Sequence, residues 1–143
     1  MPTVKASVLV GRPVEEVFAF VADPRNDGRW QAAFVRQEGQ SGTPIRAGAS
    51  WIEVRRVGPR ERAVTVTVTE WDPPRSFGWA GDAGIVRVEG RFEFEGVAGG
   101  TRVSQRMNFV FRGVMLLLGP IAARQSRREM QHSLERLSRE VFP

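Results

Sequence analysis

No cysteine and no tyrosine occur among the 143 residues, and histidine and lysine occur once each, as His132 and Lys5. The missing cysteine excludes disulfides, thiolate metal centres and a cysteine nucleophile. A single histidine excludes a multi-histidine metal site. Acid–base chemistry is therefore left mainly to Asp, Glu and Arg. Neither a metal centre nor a resident cofactor is expected. Long apolar runs are also scarce. The longest, Val114–Ala123, is about half of a membrane span and contains Gly119-Pro120, so no integral membrane segment is expected. The start MPTVKASVLV lacks a basic region followed by an apolar core and a cleavage site. A cytoplasmic protein is the expectation.

What is present suffices for one domain, 1–143, with a hydrophobic fraction of 41% to supply its core. The net charge of +5 rests almost entirely on Arg, the pattern a GC-rich coding bias produces. These Arg are dispersed, and the basic runs are short (Arg55-Arg56, Arg127-Arg128). A nucleic-acid interface wants a clustered basic stripe with interleaved aromatics, so no nucleic-acid partner is expected.

Periodicity orders the chain. Residues 3–10 alternate, with Val4, Ala6, Val8 and Val10 on one side, and predict a strand. In PVEEVFAFVAD the period changes. Val14, Val17, Phe18 and Val21 fall at helical spacing, Pro13 suits the first helical position, and Glu15 and Glu16 favour the helix start. Asp23-Pro24 ends that helix and predicts a second short one, capped by the Asp23 carboxylate. Trp30 then either plugs the core or walls a cavity mouth. Strands are predicted over Phe34–Gln37, Ser50–Val57, Glu61–Trp71, Ser76–Ala80, Ile85–Val97 and Thr101–Arg112. Residues 40–48 read as a loop, Gly58-Pro59 as a turn and Gly99-Gly100 as a tight hairpin turn. The tail from Val114 to Val141 is helical, with a stripe of Ala123, Met130, Leu134, Leu137 and Val141. His132 lies off that stripe and reads as a surface residue. Strands joined by tight turns imply an antiparallel sheet, and the striped helix must bury itself on it.

PVEEVFAFVADPRN…W (13–30), VTEWDPPRSFGW (68–79), the Gly99–Val103 turn and strand start, and LERLSREV (134–141) span nearly the whole chain in this order. The combination resembles the helix-grip fold of the START-related superfamily. More closely, it is similar to the polyketide cyclase/dehydrase-type (SRPBCC) family of small lipid- and metabolite-binding proteins. The resemblance implies an α+β helix-grip fold: a curved antiparallel sheet wrapped around the C-terminal helix, with two short helices after the first strand. It also implies a cavity between sheet and helix. Two features of the residues agree. The inner sheet face (Val86, Val88, Phe92, Phe94, Val103, Met107, Phe109, Phe111) is apolar, and the helix stripe is thin at Ala123, Ser126 and Arg127, which leaves volume unfilled.

The expected partner is a hydrophobic or amphipathic small molecule: a lipid, a polyketide or an aromatic metabolite. The expected ligand-binding set is Trp30, Val88, Phe92, Phe94, Gln105, Met107, Phe109, Ser126 and Met130. Gln105 shares parity with Val103 and Met107 and is the best buried polar handle. On Ser50–Val57, either Trp51, Glu53 and Arg55 or Ile52 and Val54 face inward, and ordinary burial preference favours the second. By the same preference Val64, Val66 and Val68 point in, not Thr65 and Thr67. The alternative function is a cyclase or dehydratase acting on such a ligand. No cyclase constellation is matched residue by residue, so catalytic residues stay unassigned. The apolar stretch 113–122 forms either a cap over the cavity or a homodimer contact.

Overall fold

A computed structural model describes residues 3–38, 45–57 and 59–143. Seven strands form one antiparallel sheet in the order β1-β7-β6-β5-β4-β3-β2. They are β1 (Thr3–Val10), β2 (Phe34–Glu38), β3 (Ser50–Val57), β4 (Arg60–Asp72), β5 (Ser76–Asp82), β6 (Val86–Val97) and β7 (Gly100–Phe111). From β2 onward each strand pairs with the next in sequence, while β1 closes on β7. The first two strands therefore lie at opposite edges. Helix α1 (Val14–Val21) and a 3₁₀ turn (Pro24–Arg29) carry the chain between them. Helix α2 (Met115–Arg136) follows β7 and widens into a final π-helical turn, Leu137–Val141. This is the α+β helix-grip architecture. Most of the predicted loop falls on residues 39–44, which lie outside the described residues, as does Gly58 of the predicted turn.

The alternations become inside and outside faces. In β1, Val4 and Val10 are buried and Thr3, Lys5 and Ser7 exposed. In β4, Val64, Val66 and Val68 are buried and Thr65 and Thr69 exposed. Helix α1 buries Val17, Phe18 and Val21. Phe18 meets Trp71, Phe77 and Phe94 edge-on, with centroids 5.3, 5.8 and 5.1 Å away. Pro13 occupies the N-cap, one residue earlier than predicted, and no side chain caps this helix. The next start is better made. Asp23 accepts from the Arg25 backbone N–H at 3.0 Å, and Pro24 opens the 3₁₀ turn. A cap of this kind is worth about 1 kcal/mol. The Arg25 guanidinium also hydrogen-bonds the Asp23 carboxylate and holds it below the usual carboxylate range.

Two glycines fit special demands. Gly99 (φ 88°) lies in the two-residue turn between paired Val97 and Gly100; the turn is thus Ala98-Gly99, one residue earlier than predicted. Gly90 pairs with Trp79 across β5 and β6, and any Cβ there would overlap the indole, so the ring lies flat on the sheet.

Along α2, Leu134 and Leu137 are fully buried and Met130 nearly so. The helix packs chiefly on β1 and β7. Ser133 Oγ accepts from the Ala32 N–H at 3.0 Å, and Arg136 donates to the Arg29 carbonyl at 3.3 Å. These bonds tie the end of the 3₁₀ turn to the helix. From Met115 on, the stretch 113–122 belongs to α2, with Gly119-Pro120 inside the helix. Its first turn uses i→i+3 bonds, such as Leu116 N–H to the Gly113 carbonyl at 3.1 Å. Gly119 packs beside Phe111, and Leu116, Leu117 and Ile121 are exposed. An all-round apolar segment is ordinarily buried; here one side meets the protein and the other meets solvent. No helix among the described residues is long and apolar enough to cross a membrane.

Candidate ligand cavity

A cavity of about 270 Å³ lies between the inner sheet face and α2. Its origin is geometric: α2 rests at the β1–β7 side and α1 covers only the part of β4–β6 around Phe94, which leaves the rest of the inner face of β3–β6 without a helix against it. Most of the wall is apolar. Val64, Val66 and Val68 come from β4, Trp79 from β5, Val88 and Phe92 from β6, and Met107 and Phe109 from β7. Helix α2 adds Met115, Ala122, Ser126 and Met130.

Of the nine residues expected at the site, the structure brings eight into this wall: Trp30, Val88, Phe92, Gln105, Met107, Phe109, Ser126 and Met130. Phe94 is not among the wall residues. It faces inward as its parity requires, but it stands where α1 covers the sheet, packed on Phe18 and Phe77. Trp30 is both plug and wall. It is 1% exposed, lies edge-on to Phe92 at 5.9 Å, and borders the cavity. Thr65 and Thr67 are not in the wall, and His132 is exposed.

The preferred inward face of β3 is corrected. Trp51, Glu53 and Arg55 border the cavity, while Ile52 is 39% exposed and Val54, although buried, is not in the wall. Glu53 is only 2% exposed. It tolerates this because its neighbours two residues either way share its face. Trp51 Nε1 donates to one carboxylate oxygen and Arg55 to the other, each at 2.8 Å. A buried charge met by two donors escapes most of the cost of an unpaired one.

Sequence reasoning missed Asp27. This residue sits in the 3₁₀ turn, is 6% exposed and borders the same cavity. Its carboxyl is within hydrogen-bonding reach of Glu53. Burial first, then the Glu53 charge and hydrogen bond, push the Asp27 carboxyl well above the ordinary range; the nearby Arg55 charge opposes this without reversing it. Glu53 is met by two donors, which favours its charge, so of the two carboxyls Asp27 is the one whose proton is held more tightly. No periodic signal marked it, because Asp27 lies in a short 3₁₀ turn and Trp30, three residues on, is already past the end of that turn.

A titration consequence follows. Above the ordinary carboxylate range the unfolded chain has released the Asp27 proton and the folded chain has not. The folded state then binds more protons, so this group lowers stability as pH rises, until its raised pKa is passed. The slope for one such group reaches about 1.4 kcal/mol per pH unit. Asp27→Asn removes it. In urea unfolding, the variant gains on the wild type as pH rises above the ordinary carboxylate range. A difference that does not change with pH contradicts the assignment.

The comparisons agree with this architecture. No curated protein matches the sequence. Several solved structures share the fold at low identity. A Thermus thermophilus protein has a TM-score of 0.80 at 18% identity, covering 96% of this chain and 94% of its own. A Chromobacterium violaceum protein has a TM-score of 0.74 at 15% identity, covering 100% and 99%. A putative protein from the dynemicin biosynthetic locus has a TM-score of 0.69 at 20% identity, and its match covers 99% of this chain and 47% of its own. A family model described as polyketide cyclase/dehydrase and lipid transport matches residues 1–141. With nearly every residue inside that match, the chain belongs to the polyketide cyclase/dehydrase and lipid transport family.

Proposed function

We propose that the protein binds a mostly apolar small molecule, a lipid, polyketide or aromatic metabolite, in the cavity between sheet and α2. The observation that carries this is the wall's composition: mostly apolar side chains, with a buried polar cluster at Asp27, Glu53 and Arg55 and further polar residues such as Gln105, Ser126 and Glu129. Such a combination is typical of small-molecule sites, where apolar surface supplies affinity and a few polar groups fix orientation. Membership of a family described by lipid transport supports the same reading.

Three of the four tryptophans, Trp30, Trp51 and Trp79, border the cavity. Pyrene absorbs where tryptophan emits, so titration with pyrene is expected to quench the emission saturably, with one probe bound per chain. Quenching that never saturates, or none, overturns the binding reading.

One observation favours a second reading, turnover of the ligand by cyclisation or dehydration. Two buried carboxyls side by side, one of them with its pKa raised by burial and by its neighbour, are an arrangement general acid–base chemistry uses. Glu53 or Arg55 substitutions that lower a rate without changing affinity would support turnover; changes in affinity alone would support binding.

A further inference from the structure

The start of α2 is apolar on the side that faces water. Val114, Leu116, Leu117, Leu118 and Ile121 are 46–83% exposed. Single apolar side chains on a surface are ordinary, but a contiguous patch of them marks a surface that meets a partner. The helical period sorts the segment. Met115, Gly119 and Ala122 turn toward the protein, and Leu117 and Ile121 turn away from it. Arg124 and Arg128, seven and eleven residues past Leu117, continue that outward line, with Arg127 beside them. All three Arg are exposed, and none enters an ion pair among the described residues. From residue 113 to residue 128 the chain carries no carboxylate. The next one along, Glu129, borders the cavity, and Asp82 is already engaged by Arg112 at 3.6 Å.

We propose that the start of α2 docks on a membrane surface of anionic lipid, with Val114, Leu117 and Ile121 among the acyl chains and Arg124, Arg127 and Arg128 at the headgroup phosphates. The spacing fits. Arg124 stands about 10 Å along the axis from Leu117, at 1.5 Å per residue, and interfacial helices lie about 5–10 Å into the boundary between headgroups and acyl chains. A second copy of the chain fits this face less well. A two-fold contact offers the face only itself, and the face holds no carboxylate for its three Arg. Anionic lipid supplies both the apolar layer and the countercharge. The docking segment is also the rim of the cavity, because Met115 and Ala122 line the cavity from the other side of the same turns. A ligand drawn from the bilayer thus reaches the apolar wall without crossing open water. That purpose, unlike the docking itself, rests on the ligand cavity proposed above.

The test is sedimentation of the full chain with vesicles, one set of phosphatidylcholine alone and one of phosphatidylcholine mixed equally with phosphatidylglycerol. The wild-type chain is expected to bind the mixed vesicles about 100-fold more tightly, at about five-fold for each of three Arg near the surface. Raised salt shrinks that difference. The double variant Arg124→Gln/Arg128→Gln is expected to lose about 25-fold on mixed vesicles, and Leu117→Ser/Ile121→Ser about 100-fold or more. All four positions are exposed and outside the cavity wall, so melting temperature and pyrene binding stay at wild-type values.

No sedimentation of the wild type with either vesicle overturns the docking surface, and saturable pyrene binding in the same preparation leaves the cavity reading standing. Sedimentation that Leu117→Ser/Ile121→Ser leaves unchanged also overturns it, and assigns the binding to net positive charge alone. A wild-type dimer in analytical ultracentrifugation that binds no vesicle, and that the same double variant dissociates, overturns it in favour of a contact between copies. Vesicle binding lost in the double variants, with no pyrene binding by the wild type, supports the docking surface and overturns the cavity reading.

Discussion

Ser126→Trp is expected to weaken pyrene binding by about 100-fold or more while the chain still folds. Ser126 is half-buried on α2 and borders the cavity, at the place where the helix stripe is thin. An indole there enters space that the native sequence leaves open. If it takes about 100–150 Å² of apolar contact from a ligand, the loss is about 2.5–4 kcal/mol at 25 cal/mol per Å². That is roughly 100- to 1,000-fold in affinity. The melting temperature should hold or rise, because the new side chain fills a void and does not displace packed atoms. Ser126→Ala changes little in either measurement. Unchanged pyrene affinity in Ser126→Trp, with the fold intact, would place the ligand somewhere other than the sheet–helix cavity.

Leu134→Ala is expected to cost about 3–5 kcal/mol, near the top of the range for such truncations. Leu134 is 0% exposed and sits where α2 grips the sheet, next along the stripe from Leu137, also 0% exposed. Beneath it β1 pairs with β7 along its whole length, and β7 pairs on both sides, so the sheet cannot readily collapse into the hole. The melting temperature should fall by roughly 10–15 °C for a domain of this size. Met130→Ala is the instructive contrast. Met130 is 3% exposed but borders the existing cavity. Its removal enlarges a space already present, so it should cost less, about 2 kcal/mol, and admit bulkier ligands. Equal costs for the two variants, measured by urea unfolding, would contradict the division of α2 into a gripping end and a cavity-facing end.

That division was partly legible in the sequence. Strands β1, β4, β6 and β7 alternate cleanly because each has one buried and one solvated face, and α2 shows its stripe through Met130, Leu134 and Leu137. The scarcity of large apolar residues near Ser126 correctly indicated unfilled volume. Parity assigns a face but not what lies opposite it. Phe94 and Phe92 share a face, yet α1 covers the first and the cavity borders the second. Glu53 was misjudged because general burial preference treats each residue alone, whereas Trp51 and Arg55, on the same face, satisfy both of its oxygens. Asp27 was passed over because a 3₁₀ turn obeys neither the strand nor the α-helix period used to assign faces. The stretch 113–122 shows a further limit of sequence patterning. Hydrophobicity favoured burial, but the start of α2 lies at the rim of the cavity with only Met115, Gly119 and Ala122 turned inward.

The central claim is that the cavity holds a small molecule. Native mass spectrometry tests it most directly, on chain purified without detergent and compared with Ser126→Trp prepared in parallel. The account predicts an added mass on the wild-type chain, released by organic solvent and absent from the variant. An added mass of equal abundance on both chains would show that whatever binds does so outside the cavity, and would contradict the account.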